Sequence, residues 1–396
     1  MGNPLKSLQQ LGQSVWLDDL HRSLITSGRL QQLIEEDGLK GLSSNPSIFE
    51  KAIDDSDEYL DILEDPESKA IDSKTLYERI VIRDIQEAAD VFRPLYLASI
   101  RRDGFVSLEV SPRLSRDLRG TLIEARRLWQ MVARENLMIK IPATPESIPA
   151  IQELISEGIN VNITLIFTKE VYEQVATAYL FGLESFALKG GDLSTVASVA
   201  SVPIGCLDEA INQRISERWE AASLPEMRTS LSDLSGKVAI ANAKTIYQKH
   251  LEIIAGDRWQ RLSLQGANTQ RLVWIDTGMK NVAYTDVFYA EQLIGPDTIN
   301  AMPPDTFASF KDHGHARATL STDVEQACDT MKELVQLGIP FEDVAQQLLS
   351  QGVEEFTDAF TKLLTTISRS NASSFDPVTF LRFKLFKDFY GGRGLS

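Results

Sequence analysis

Residues 159–167 read INVNITLIF, and their side chains separate cleanly by parity. Successive side chains of a strand point to opposite faces, so Ile159, Val161, Ile163 and Leu165 share one face and Asn160, Asn162 and Thr164 the other. One face is wholly apolar; its opposite carries amides and a hydroxyl. Alone, such a segment reads as a half-exposed strand of an antiparallel sheet. The same division recurs in other segments. Val15 and Leu17 oppose Ser14, Trp16 and Asp18; Val106, Leu108 and Val110 oppose Ser107, Glu109 and Ser111. Leu137, Ile139 and Ile141 oppose Met138 and Lys140, and Val273 and Ile275 oppose Trp274 and Asp276.

Short segments of this kind, at 13–18, 41–43, 105–110, 137–142, 159–167, 195–202, 271–276 and 298–302, alternate with helical stretches. In TLIEARRLWQMVA (121–133), for example, Leu122, Ala125, Leu128, Trp129 and Val132 fall on one helical face. Helix-breaking pairs stand at Gly190-Gly191 and Pro303-Pro304. Alternation at this length predicts a closed (β/α)8 barrel of TIM-barrel type, with the apolar strand faces under the helices and the mixed faces inside. We expect one domain over 1–396: a barrel at about 13–320 and helices at about 321–390, packed outside as an appendage.

The mixed faces would gather Asp18, Glu109, Lys140, Asn162, Thr164 and Asp276 late in their strands, at the end where barrels hold catalytic groups. A purely structural network of buried charges would need a partner for every member. A lysine in an apolar surround loses hydration of its charged form, and its neutral amine attacks ketones to give a carbinolamine and then a Schiff base. Carboxylates at Glu109 and Asp18 suit the proton transfers, and the amides of Asn45 and Asn162 suit the hydroxyls of a polyol.

Other chemistries find little support. The histidines, His21, His250, His313 and His315, form no HExxH or triad signature, and no GxGxxG or GxxxxGK[ST] occurs, so no metal and no dinucleotide cofactor is expected. KDHGHAR (311–317) is a weak metal pair at most. The formal net charge of -16 argues against a nucleic-acid partner. Cys206 and Cys328 form no CxxC pair, no signal peptide or membrane span is evident, and a cytoplasmic location is expected.

The segments SVWLDDLHR, GLSSNPSIFEKAI, DGFVSLEVSPRLS, EARRLW, LMIKIPATPESIPAI, EGINVNITLIF and GPDTINAMPP together resemble the transaldolase family, in its longer bacterial branch, over nearly the whole chain. The resemblance implies a cofactor-free transferase of the pentose phosphate pathway, moving a dihydroxyacetone unit from a ketose phosphate to an aldose phosphate. It implies that Lys140 is the Schiff-base nucleophile and Asp18 the proton acceptor in carbon–carbon cleavage. Glu109 and Thr164 would position a proton-relaying water, and Asn45, Asn162, Ser201 and Lys280 would contact substrate.

Two segments depart from the family pattern. ASVASFFVSRVD becomes ASVASVPIGCLD (197–208), with Cys206 where a phosphate-gripping arginine is expected, and WASTGVKN becomes WIDTGMKN (274–281), with Asp276 in place of a serine. Losing a charge-assisted bond worth roughly 1.5–3 kcal/mol and adding a like charge opposes a phosphate dianion. An alternative is therefore a related enzyme for a non-phosphorylated or differently substituted sugar, with Asp276 bonding a terminal hydroxyl. A second alternative, a weakened barrel with a binding or regulatory role, has the full set Asp18, Glu109, Lys140 and Thr164 against it.

Overall fold

The apolar strand faces and the amphipathic helices meet as a two-layer barrel. The structure is a computed structural model that describes residues 2–54, 57–59, 62, 65, 68, 71–279 and 284–373. Eight parallel strands close in sequence order: β1 (Gln13–Asp18), β2 (Gly41–Ser43), β3 (Phe105–Glu109), β4 (Leu137–Pro142), β5 (Val161–Thr164), β6 (Ser198–Pro203), β7 (Arg271–Ile275) and β8 (Thr298–Met302). Helix Leu118–Val132 shows how the outer ring is set. Asp117 caps its start by accepting from the Gly120 N–H, Ala133 ends it with a left-handed backbone, and Leu122, Ala125, Leu128 and Val132 are buried.

Parity holds on β1, β3, β4 and β5: Val15, Leu17, Val106, Leu108, Leu137, Ile139, Val161 and Ile163 all join the core under the helices. The interior holds a separate cluster that includes Trp16, Phe105, Met138, Val199, Ile299 and Ala301. Gly41 leaves room for one of its members, since a Cβ there would sit 2.4 Å from the Trp16 ring.

On β7 the faces are reversed from the sequence expectation. Val273 and Ile275 belong to the interior cluster, and Trp274 packs outward. Arg271 sets this phase, because it shares a face with Val273 and Ile275 and projects into the barrel floor. There it donates to Ser14 Oγ (2.8 Å), the Arg102 carbonyl (2.7 Å) and Asp103 Oδ1 (3.0 Å). Asp276 lies beyond the end of β7 with a φ of 53°, so its direction does not follow strand alternation.

Helix Val324–Gln336 packs on helix Val238–Ala255. The last helix, Phe341–Ser373, does not stay outside. It packs on helices Gly205–Ala221, Pro46–Asp54 and Ser73–Ala98, and between those contacts it crosses the mouth beside β4 and β5. Its inward stripe of Leu349, Val353, Phe356, Phe360, Leu363 and Ile367 follows helical spacing. Among the described residues no helix is long and apolar enough to cross a membrane.

Arg271 and Asp103 have side chains 4% and 11% exposed, so removing one charge strands the other in the barrel floor. Arg271→Met is expected to lower stability by about 3–5 kcal/mol, read from the urea midpoint. A loss below about 1 kcal/mol would mean that packing alone carries the floor.

Candidate active site

Parallel register builds the centre of the site. Glu109 stands beside Lys140 and Lys140 beside Asn162, so three side chains from β3, β4 and β5 enter the barrel side by side. Lys140 Nζ lies 3.8 Å from Glu109 Oε1, with the two side chains 5% and 7% exposed. The amine also donates to the Ser44 carbonyl at 3.1 Å, and the Phe356 ring centre lies 5.7 Å from it. Its surround is thus less apolar than the strand sequence suggests: the apolar residues of β4 face outward, and a carboxylate, a carbonyl and an aromatic face meet the nitrogen.

Burial raises the Glu109 carboxyl to about 7, against the pull of Lys140 and with a further push from Asp18. Asp18 is raised by burial in the same way, with Lys140 and Ser43 drawing it back down. A carboxyl that titrates near neutrality both takes and returns a proton at working pH. Asp18 Oδ1, both carboxylate oxygens of Glu109 and Thr164 Oγ1 are buried without a hydrogen-bond partner among the described residues. Each such group is costly in a folded core, and here the two carboxylates lie beside one lysine.

A row of neutral polar groups continues from Lys140 toward β6. Asn162 Nδ2 donates to Ser107 Oγ at 3.0 Å, and Ser201 Oγ donates to Asn162 Oδ1 at 2.8 Å. Asn162 and Ser201 therefore join the lysine in one layer. Asn45 is placed differently. Its Oδ1 accepts from the Ile48 N–H at 3.1 Å and from Ser47 Oγ at 2.6 Å, which makes it the N-cap of helix Pro46–Asp54. Lys280 lies outside the described residues.

The segments that carry Cys206 and Asp276 meet in space. Asp276 Oδ2 accepts from the Cys206 N–H at 2.6 Å, and its carbonyl accepts from the Gly205 N–H at 2.9 Å. A carboxylate of the chain is thus seated on the first turn of helix Gly205–Ala221, a position that favours anions. A Cβ at residue 205 would lie 2.8 Å from the Asp276 carbonyl and 2.9 Å from its Oδ2, so only glycine fits.

His313 and His315 do not share a site: the first pairs with Asp286 and Asp312, the second with Glu291. Among the described residues no three His, Cys, Asp or Glu side chains are grouped to hold a metal ion. Sequence reasoning overlooked Ser44, which acts through its backbone, and Phe356, which lies more than two hundred residues from Lys140. Only the periodic stripe of the last helix hinted that it had a surface to cover.

Residues 15–367 match the family model described as Transaldolase/Fructose-6-phosphate aldolase. The chain is 42% identical over 367 residues to a "Transaldolase" of Trichodesmium erythraeum (strain IMS101), covering 92% of this chain and 97% of that one. It is 41% identical to "Transaldolase 2" of Nostoc punctiforme (strain ATCC 29133 / PCC 73102), covering 92% and 97%. It is also 41% identical to a "Transaldolase" of Thiobacillus denitrificans (strain ATCC 25259 / T1), covering 92% and 99%.

The raised Glu109 carboxyl has a consequence for folding. Its folded value of about 7 lies above the ordinary 4.5, so its contribution to stability is full below pH 4.5 and is lost as pH rises through 7. The loss amounts to roughly 3 kcal/mol. Glu109→Gln, neutral throughout, is expected to lose less stability than the parent between pH 4.5 and 8 in urea titrations. Equal losses in the two proteins would contradict the assignment.

Proposed function

This chain belongs to the transaldolase/fructose-6-phosphate aldolase family, and it is a transaldolase-type transferase. From that premise we propose that its reaction runs through a Schiff base on Lys140. The amine adds to the carbonyl of a ketose, and loss of water gives the imine. Glu109, with its carboxyl near 7, and the Thr164 hydroxyl handle the protons of that dehydration. Asp18 takes the proton from the hydroxyl next to the bond that breaks. An aldose leaves, the three-carbon unit remains on Lys140 as an enamine, and the enamine attacks the carbonyl carbon of an acceptor aldose. Asn162 and Ser201 hold substrate hydroxyls, and Asn45 takes part through its amide N–H groups. The substrates in this reading are ketose and aldose phosphates.

One observation carries the reading: the carboxylates of Glu109 and Asp18, each with a buried oxygen that accepts no hydrogen bond, lie close to a buried lysine. Those open oxygens, with the unpartnered Thr164 hydroxyl two residues past the β5 neighbour of Lys140, suit the proton transfers that imine chemistry needs. Borohydride in the presence of fructose 6-phosphate or free fructose should attach the three-carbon unit covalently at Lys140, and Lys140→Met should abolish the adduct. Asp18→Asn should still form the imine yet slow cleavage by about 10²–10⁴. If no ketose gives an adduct at Lys140, the proposal fails.

A second reading concerns the donor. We propose as an alternative that the Asp276 carboxylate, held by the Cys206 N–H, faces the far end of the donor, so that a terminal phosphate would approach a carboxylate there. The ratio of kcat/KM for fructose 6-phosphate to that for free fructose should be low, and Asp276→Ser should raise it by about tenfold or more. A ratio above about a thousandfold in the parent, unchanged in Asp276→Ser, would exclude this reading.

A further inference from the structure

The last helix, Phe341–Ser373, brings one aromatic ring to the nucleophile, and several contacts hold the helix in place. Gly352 passes so close to Leu165 at the end of β5 that an added Cβ would be 3.0 Å from its Cδ2. Phe360 packs edge-on against Tyr77 with ring centres 5.3 Å apart, Arg113 donates to Thr361 Oγ1 at 3.0 Å, and Lys362 pairs with Glu50 at 2.8 Å. Between these points Phe356 is partly buried against the core and faces the Lys140 amine at 5.7 Å. Its position is therefore fixed from both sides along the helix.

A ring face above a cationic nitrogen does two things. Its quadrupole favours positive charge, in an ammonium or an iminium alike. Its carbon surface also leaves less room for water on that side of the nitrogen. We infer that Phe356 is a positioning residue that protects the covalent intermediate on Lys140 from hydrolysis, and so favours transfer over release. The inference rests on the Schiff-base reading.

The two fates differ in their bonds. In transfer, the enamine carbon attacks an aldehyde carbon, the aldehyde oxygen gains a proton, and water then frees the new ketose from the lysine. In the wasteful fate the enamine carbon takes a proton and water adds across the resulting C=N bond. The carbinolamine then collapses to dihydroxyacetone and the free amine. Water is the only co-reactant, and the second fate needs it at the imine carbon, next to the lysine nitrogen, before an acceptor has arrived.

The test measures partition. The intact enzyme receives whichever of fructose 6-phosphate or free fructose gives the larger borohydride adduct. Release of free dihydroxyacetone without acceptor is compared with transfer to erythrose 4-phosphate. Phe356→Ala should raise the ratio of release to transfer by about tenfold, while Phe356→Leu, which keeps an apolar cover, should change it by less than about threefold. Phe356→Val should fall between them, so the series stays informative even if the alanine variant does not fold. A purely structural role would lower both rates together and leave their ratio unchanged. An unchanged ratio in folded Phe356→Ala and Phe356→Val, or Leu behaving like Ala, overturns the inference. Absence of any adduct in the parent overturns the Schiff-base reading itself, a separate result.

Discussion

The approach of Lys140 to Glu109 across β3 and β4 is the constraint that the mouth of the barrel is built to satisfy. Removing an ammonium and a carboxylate from water costs several kcal/mol for each ion, and their attraction at 3.8 Å offsets only part of it. The rest must come from neighbours: the Ser44 carbonyl, the Phe356 face and the nearby Asp18. Parallel register makes this possible, because paired residues of adjacent strands point to the same face about 4.8 Å apart. A slip of one residue on β4 would send Lys140 under the helices and bring Ile139 or Ile141 into the barrel.

The charged groups at the two ends of the barrel are held differently, although Gln13 and Gln270 at the floor also keep an unpartnered amide oxygen. At the floor, Arg271 finds Ser14, Asp103 and the Arg102 carbonyl, and Ser14 itself donates to Asp103 at 2.8 Å. At the mouth, Asp18, Glu109 and Thr164 carry buried oxygens without partners, and Leu165 and Asp276 hold left-handed backbones at 62° and 53° just past their strands. Satisfied networks rigidify, whereas unsatisfied groups and strained backbones persist only where surrounding structure holds them. The floor thus fixes strand phase, and the mouth retains reactive capacity.

Much of this was legible in the sequence because alternation is a local property. Four strands, 13–18, 41–43, 137–142 and 298–302, have the expected limits, and the inward faces of β1, β3, β4 and β5 follow from which residues share parity. β7 misled because Asp276 was taken as the polar member of its inner face, whereas Arg271, at the other parity, was the residue with partners inside. Strand parity says nothing of a residue beyond the strand, and Asp276 turns by its own φ. The reach of the last helix to the barrel mouth was not legible for a different reason. Periodicity shows that a helix has an apolar face, but what that face covers is a long-range fact, and Phe356 meets Lys140 across the whole second half of the chain.

Chemistry and recognition sit on different kinds of backbone in this site. Glu109, Lys140, Asn162, Thr164 and Ser201 all belong to strands, whose hydrogen-bonded register fixes them relative to one another. Asp276 and Cys206 lie on the segments that leave β7 and β6, held together by the 2.6 Å contact with the Cys206 N–H and by a glycine that admits no side chain. Side chains on such connections change with little effect on the strands beneath, because the backbone bond from Gly205 to the Asp276 carbonyl does not depend on them. A substitution at 276 or 206 therefore alters the contact at the first turn of helix Gly205–Ala221 while the lysine and its carboxylates keep their distances. Under the proposed Schiff-base reading, that separation leaves the groups around Lys140 in place whatever residue stands at 276 or 206.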